Sequence, residues 1–188
     1  MKNLVSAVLM FIVSSVIFGV IYPLTVTGLA QVFFSEKANG SLIKNDKSEI
    51  IGSKLIGQQF SGAGYFHSRP SAAGNGYDAS ASSGSNLGPT NKKLIDRIAS
   101  DAEKLKVENP NQPIPVDLVT TSGSGLDPHI SLNSLEFQIP RVAKERNLSE
   151  TEVRKIAEKF IEGRDFGFFG EPRINVLLLN LELDTQKK

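Results

Sequence analysis

The residues best equipped for chemistry cluster between Ser122 and His129. The run Ser122-Gly123-Ser124-Gly125-Leu126-Asp127-Pro128-His129 supplies two hydroxyls, a carboxylate and an imidazole. These are the parts of an acyl-transfer triad, with Ser122 or Ser124 as nucleophile, His129 as base and Asp127 as the orienting acid. Ser124 has glycines as its immediate neighbours, so the spacing is not that of a Gly-x-Ser-x-Gly nucleophile elbow. The same residues also suit a plain turn, with His129 as a local hydrogen-bond partner. His67 and His129 are the only two imidazoles in the chain. With Asp127 they make a possible metal set, but without ligand-like spacing.

Phosphate chemistry has little to build on. No Gly-Lys-Ser or Gly-Lys-Thr closes a glycine-rich loop, and Gly84-Ser85-Asn86-Leu87-Gly88 lacks the lysine a nucleotide cradle needs. The Asp-Lys-Thr-Gly-Thr segment that carries the phosphorylated aspartate of a P-type pump is missing, so the chain does not couple ATP to transport by that route. Cysteine is absent, which excludes a disulfide framework, a thiolate metal site and a thiol nucleophile. Lys plus Arg number 21 and Asp plus Glu 20, giving a net charge of +1. Nucleic acid is therefore not an expected partner, because no basic excess exists to neutralise phosphates. Arg69, Arg141 and Arg173 each stand beside a proline; such arginines more often pair with carboxylates in a fold than with ligands.

The elements that must position these groups begin with an apolar stretch. Between Lys2 and Glu36 there is no charge, and Leu4 to Tyr22 is the heart of that window. About 20 apolar residues in a helix span the roughly 30 Å of a hydrocarbon core. The reading is one transmembrane helix, with residues 1–35 as anchor and juxtamembrane segment. Pro23 is expected to kink or end it, leaving Leu24 to Phe34 as an interfacial piece. Gly28-Leu29-Ala30 has the small residues of a signal-peptide cleavage site, but the apolar core exceeds the usual length of about 7–15 residues. Ser15 and Gly19, small and four apart, would let another helix approach closely.

Residues 36–188 read as one mixed domain, so the fold class is α+β. Leu55 to Gln58 suits a short strand. Ser71 to Gly88, mostly Ser, Gly and Ala, suits either a flexible linker or an ordered loop lying against something else. Thr90 to Val107 has apolar residues at helical spacing, with Thr90 as N-cap and Asn109-Pro110 as the stop. Val116 to Thr121, rich in β-branched residues, reads as a buried strand. A helix from Leu132 should yield to a new turn at Pro140. Ser149-Glu150-Thr151-Glu152 fits a capping box. It opens a helix that buries Val153, Ile156, Ala157, Phe160 and Ile161 and ends at Gly163. Arg173 to Leu183, apolar on both faces, reads as a central strand.

Several segments together carry a resemblance. They are Gly62-Ala63-Gly64-Tyr65-Phe66-His67-Ser68-Arg69-Pro70-Ser71, Ser83-Gly84-Ser85-Asn86-Leu87-Gly88, Val116-Asp117-Leu118-Val119-Thr120 and Ser122-Gly123-Ser124-Gly125-Leu126-Asp127. Gln138-Ile139-Pro140-Arg141-Val142-Ala143 and Asn175-Val176-Leu177-Leu178-Leu179-Asn180-Leu181 complete the set. In this order, after an apolar N-terminus ending near Tyr22-Pro23-Leu24, they resemble the KdpC subunits of bacterial Kdp potassium-transporting P-type ATPases.

The resemblance implies an accessory, non-catalytic subunit of a high-affinity potassium uptake complex in the inner (plasma) membrane. Its partners would be a potassium-translocating subunit, a P-type ATP-hydrolysing subunit, a small membrane peptide and membrane lipid. It implies one transmembrane helix and a soluble domain, placed here on the extracytoplasmic side. It also implies a catalytic-chaperone role that raises the ATP affinity of the hydrolysing subunit. No cofactor is expected on the chain alone; ATP enters only together with the hydrolysing subunit, where Gln138 and Arg141 are the candidate contacts. Ser15, Gly19, Phe66, His67, Arg69, Asn86, Asp127 and His129 are the candidates for a partner interface. The alternative is an anchored extracytoplasmic hydrolase or ligand-binding module using Ser124, His129 and Asp127.

Overall fold

The computed structural model describes residues 1–186, and the backbone divides into two compact units, Met1–Ser53 and Lys54–Lys188. In the first unit, α1 (Lys2–Val16), a π-helical turn (Ile17–Ile21) and α2 (Tyr22–Phe33) join without a break into one helix of 32 residues. Its length and composition suffice to cross a membrane, and none of it is buried. Pro23 does not end the helix, which corrects the expectation of a separate piece after it. A proline has no N–H to return and its ring crowds the carbonyl four residues back. The π turn just before it relaxes both constraints, with the Tyr22 N–H reaching the Ile17 carbonyl. Beyond α3 (Ser35–Ala38), β1 (Leu42–Lys44) and β2 (Ile50–Ser53) pair antiparallel. The strand thus lies at Ile50–Ser53, and not at Leu55 to Gln58, where Leu55 is exposed.

The second unit is mixed α+β. Its sheet holds β3 (His129–Ser131), β4 (Ile161–Glu162) and β5 (Arg173–Asn175), in the order β3-β5-β4 and all antiparallel. Its helices are α4 (Lys92–Glu108), α5 (Leu132–Arg146), α6 (Glu150–Glu158) and α7 (Val176–Thr185). Ile130 and Ile174 pair across the sheet and join Ile139, Val142, Val153, Ala157, Leu179 and Leu183 in one core. Side chains alternate faces along a strand, so His129, Ser131 and Arg173 turn the other way and build a polar outer face.

Several local expectations are corrected. The run after Arg173 is a three-residue strand and then α7. Asn175 decides this, since its side chain accepts the Leu178 N–H at 3.2 Å and caps the helix. A helix apolar all round is a buried one, and Leu177, Leu179 and Leu183 are buried. Val116 to Thr121 is not a strand. Pro115 leads into a single 3-10 turn, Val116–Leu118, in which Leu118 is buried and Val116 exposed. Pro140 lies inside α5 without breaking it; the helix is held by the burial of Phe137, Ile139 and Val142 around it. The α4 cap is Asn91, one residue after Thr90, and Ile161 leaves α6 for β4, where it is partly exposed. The Ser149–Glu152 capping box forms as expected.

From Lys54 to Asn91 the backbone has neither helix nor strand, so its polar groups must find partners elsewhere. Two buried carboxamides provide them. Asn180 of α7 accepts the Phe66 N–H and donates to the Phe66 carbonyl, both at 2.9 Å. Gln138 of α5 accepts the His67 N–H at 2.8 Å and donates to the His67 carbonyl at 3.2 Å. In an extended chain successive backbone pairs point to opposite sides, and the two amides take one side each. Two arginines of α5 hold the preceding carbonyls. Arg141 donates to Ala63 and Tyr65 at 2.5 and 2.8 Å, and Arg146 to Gly64 at 2.5 Å. Replacing Asn180 by Ala strands both backbone groups of Phe66 in the core. The expected loss is about 3 kcal/mol, read as a lower urea midpoint of the full chain in detergent; a loss below about 1 kcal/mol would show the grip to be dispensable.

Candidate functional site

Two small-residue loops, which adjoin Arg69 and Asp127 in the chain, pack against each other. The Ser83 N–H donates to the Ser124 carbonyl at 3.0 Å, and the Ser71 hydroxyl to the Gly125 carbonyl at 2.6 Å. Gly125 has φ +68°, and a Cβ there would stand 2.6 Å from the Ser83 carbonyl oxygen and 2.7 Å from the Ala73 nitrogen, so only glycine fits. Of the two readings of Ser71 to Gly88, the structure has the ordered loop, and the surface it lies against is Ser122 to Gly125. Tyr77 donates its hydroxyl to the Arg69 carbonyl and so ties the loop to the next segment.

Arg69 leads into a pocket of about 440 Å³ lined in part by Asp117, Thr120, Asp127, His129, Ser131 and Arg173. A chain of polar and charged side chains crosses it. Arg69 Nη1 lies 3.1 Å from Asp127 Oδ2, and Asp127 Oδ1 lies 3.6 Å from His129 Nδ1. His129 Nε2 is 3.6 Å from Glu162 Oε2, which also meets Arg173 Nε at 3.1 Å. Arg173 in turn reaches Asp165 at 3.5 Å. Burial alone would raise the Asp127 carboxyl. The hydrogen bonds from His129 and the Arg69 cation outweigh it and hold Asp127 below the usual carboxylate value. The other wall is fixed by Asp117, which accepts from the Ser131 N–H at 2.8 Å and from the Ser134 hydroxyl at 2.5 Å.

The sequence candidates separate clearly. Arg69, Asp127 and His129 are brought together in this pocket. Ser124 is not joined to them: its Oγ accepts the Leu126 N–H at 3.1 Å and lies 3.4 Å from the Ser122 hydroxyl. His129 turns its Nε2 to Glu162, 3.6 Å away, so the alternative reading of a Ser124, His129 and Asp127 triad finds no serine joined to the imidazole. Phe66, expected at a partner interface, is wholly buried in the core because both its backbone groups are pinned there. Asn86 is exposed with φ +51°, and Ser15 and Gly19 are exposed on the long helix.

His67, Gln138 and Arg141 meet elsewhere, beside a second pocket of about 310 Å³ lined by His67, Gln138, Glu108 and Asp101 among others. Gln138 is 1% exposed, and its oxygen also takes Arg141 Nη2 at 2.7 Å. Arg141 Nε pairs with Glu108 at 2.8 Å. Burial first, and then the Arg141 cation, lowers the His67 pKa from its ordinary value. Among the described residues no group of three or more potential ligands is arranged to hold a metal ion.

One surface was not signalled by the residues of obvious chemistry. Between β4 and β5 the chain makes a tight finger, closed by a bridge from Asp165 to Phe169, that exposes Phe166, Phe168 and Phe169. Its signal in the sequence is Phe166-Gly167-Phe168-Phe169-Gly170, three rings set between glycines.

With the geometry in view, the comparisons settle the family. A family model described as "KdpC: K+-transporting ATPase, c chain" matches residues 4–185. The chain belongs to the KdpC family. It is 58% identical over 183 residues to a Koribacter versatilis protein named potassium-transporting ATPase KdpC subunit, covering 97% of this chain and 94% of that one. A Myxococcus xanthus protein of the same name is 54% identical over 93% of this chain and 84% of its own length. One from Mycobacterium tuberculosis is 52% identical over 97% and 98%. Family membership makes the chain an accessory subunit of the potassium-transporting ATPase and not its catalytic chain.

The lowered His67 pKa fixes a sign. The unfolded chain takes up a proton near pH 6.5 while the folded imidazole resists it. Stability tied to His67 is complete above that pH and falls as the pH drops through it. The stability difference between the wild type and His67→Gln, from urea unfolding, should therefore shift against the wild type between pH 7.5 and 5.5; a difference independent of pH would contradict the assignment.

Proposed function

We propose that the chain serves its ATPase by docking its soluble domain on the potassium-translocating subunit at the extracytoplasmic side, and that this contact raises ATP affinity at the hydrolysing subunit from a distance. The observation that supports the reading is how the candidate residues divide. Gln138 and Arg141 are engaged in holding the Gly62 to His67 segment, whereas Arg69, Asp127 and His129 line an open pocket. Contact of Gln138 and Arg141 with nucleotide would require releasing that segment. Arg69 with Asp127 and Arg173 with Glu162 pair at the pocket, an arrangement that suits recognition of a partner's polar groups.

Action at a distance is a coupling free energy and is reciprocal. If docking tightens ATP binding by some factor, ATP tightens docking by the same factor. The helix Lys2–Phe33 would hold the domain at the membrane, so that docking is nearly intramolecular and a modest interface suffices.

Two measurements test this. Because the chain has no cysteine, a Lys93→Cys variant on exposed α4 carries a single thiol. It should be labelled by a membrane-impermeant maleimide in intact cells, and labelling only after lysis would defeat the extracytoplasmic placement. Adding the full chain to the other subunits should lower the apparent ATP Kd by roughly 5–150-fold, the usual span of allosteric coupling. Asp127→Ala should reduce that effect. Direct binding of ATP to the isolated full chain would overturn coupling at a distance.

A further inference from the structure

The finger between β4 and β5 is the most exposed apolar feature of the second unit. Phe166 is 89% exposed, Phe168 65% and Phe169 59%. Soluble surfaces scatter such rings singly; three on one tight turn mark a contact. The turn is also stiff by construction. Asp165 N–H donates to the Phe169 carbonyl and Phe169 N–H to the Asp165 carbonyl, both at 2.9 Å. Phe166 sits at φ +54°, a conformation a phenylalanine rarely adopts, and the Phe168 and Phe169 ring centroids are 4.2 Å apart. At the base, Arg164 pairs with Glu171 at 2.6 Å and Arg173 with Asp165 at 3.5 Å. Rings held ready in this way lose little entropy on binding.

The finger's place says what it meets. The segment that returns from it, Glu171 to Arg173, is also a wall of the pocket that holds Arg69, Asp127 and His129, so the base of the finger adjoins that pocket. Its charge separates the possible occupants. From Glu162 to Arg173 the acids are Glu162, Asp165 and Glu171 and the bases Arg164 and Arg173. That surplus of acid, with Asp165 and Glu171 exposed, opposes an anionic lipid surface. It equally opposes a second copy meeting its own acids across a twofold axis.

We propose that Phe166, Phe168 and Phe169 are the apolar anchor by which the domain seats in a hydrophobic pocket, rimmed by basic groups, on another subunit of the potassium-transporting ATPase. This deepens the docking reading above and rests on it. Aromatic anchors beside arginines dominate the affinity of many interfaces, and the neighbouring charge chain supplies a polar rim.

The chain has no tryptophan, so the full-length Phe166→Trp variant in nanodiscs of zwitterionic and anionic lipid adds one indole at the tip, read as the difference spectrum against the wild-type chain in the same state. Its emission should stay that of exposed indole in lipid alone and shift to the blue by about 10 nm or more when the other subunits assemble with it. Phe166→Ser should cut recovery of those subunits in mild detergent at least tenfold without moving the thermal midpoint of the chain. Loss of assembly in either Phe166 variant, where the wild type assembles, supports the anchor. A blue shift complete in lipid alone would overturn it in favour of the membrane, and one that grows with the concentration of the chain alone would assign the finger to self-association. If the complex assembles while the indole remains wet, the anchor is wrong and the docking reading stands. If the wild-type chain binds no other subunit, both fall.

Discussion

Everything in the second unit depends on how an irregular segment is made rigid without a sheet. Phe66 and His67 each have both backbone groups taken by a buried side-chain amide, Asn180 from α7 on one side and Gln138 from α5 on the other. The amides do what flanking strands would do in a sheet. A buried backbone pair left open costs far more than a made hydrogen bond returns, so the two helices and the segment are mutually fixed. Phe66 then fills the core, and three residues further on Arg69 is delivered to its pocket.

This arrangement gives the small-residue loops their meaning. Ser71 to Gly88 has little to bury, yet it is ordered because its serine and backbone groups pair with Ser122 to Gly125, and the glycines let the two backbones come within contact. The outcome is a site where ordered loops meet the outer face of the sheet. Ordered loops carried on a packed frame are suited to recognition.

Much of this was legible in the residues. The long apolar helix, α4, the capping box of α6 and the grouping of Asp127 with His129 follow from periodicity, cap chemistry and spacing. The errors share a cause. The run after Arg173 is apolar on both faces, a pattern common to central strands and buried helices, and Asn175 as cap was the deciding residue. Val116 to Thr121 has strand composition, but Pro115 and the pairing of Asp117 with Ser131 and Ser134 turn it. At Pro140 and Pro23 local rules predict a break that packing and a π turn override. Phe66 looked like a surface aromatic because nothing near it in sequence reveals Asn180, which lies 114 positions away. The phenylalanine finger was hidden differently: its meaning is in its exposure, which composition does not give.

Hydrogen exchange on the full chain tests the two-amide grip most directly. The backbone amides of Phe66 and His67, though they belong to no helix or strand, should exchange only through global unfolding, as slowly as the core of α5. Exchange of these two amides at the rate of the exposed loop residues around Gly88 would contradict the account, because the segment that delivers Arg69 would then be open while the helices remain folded.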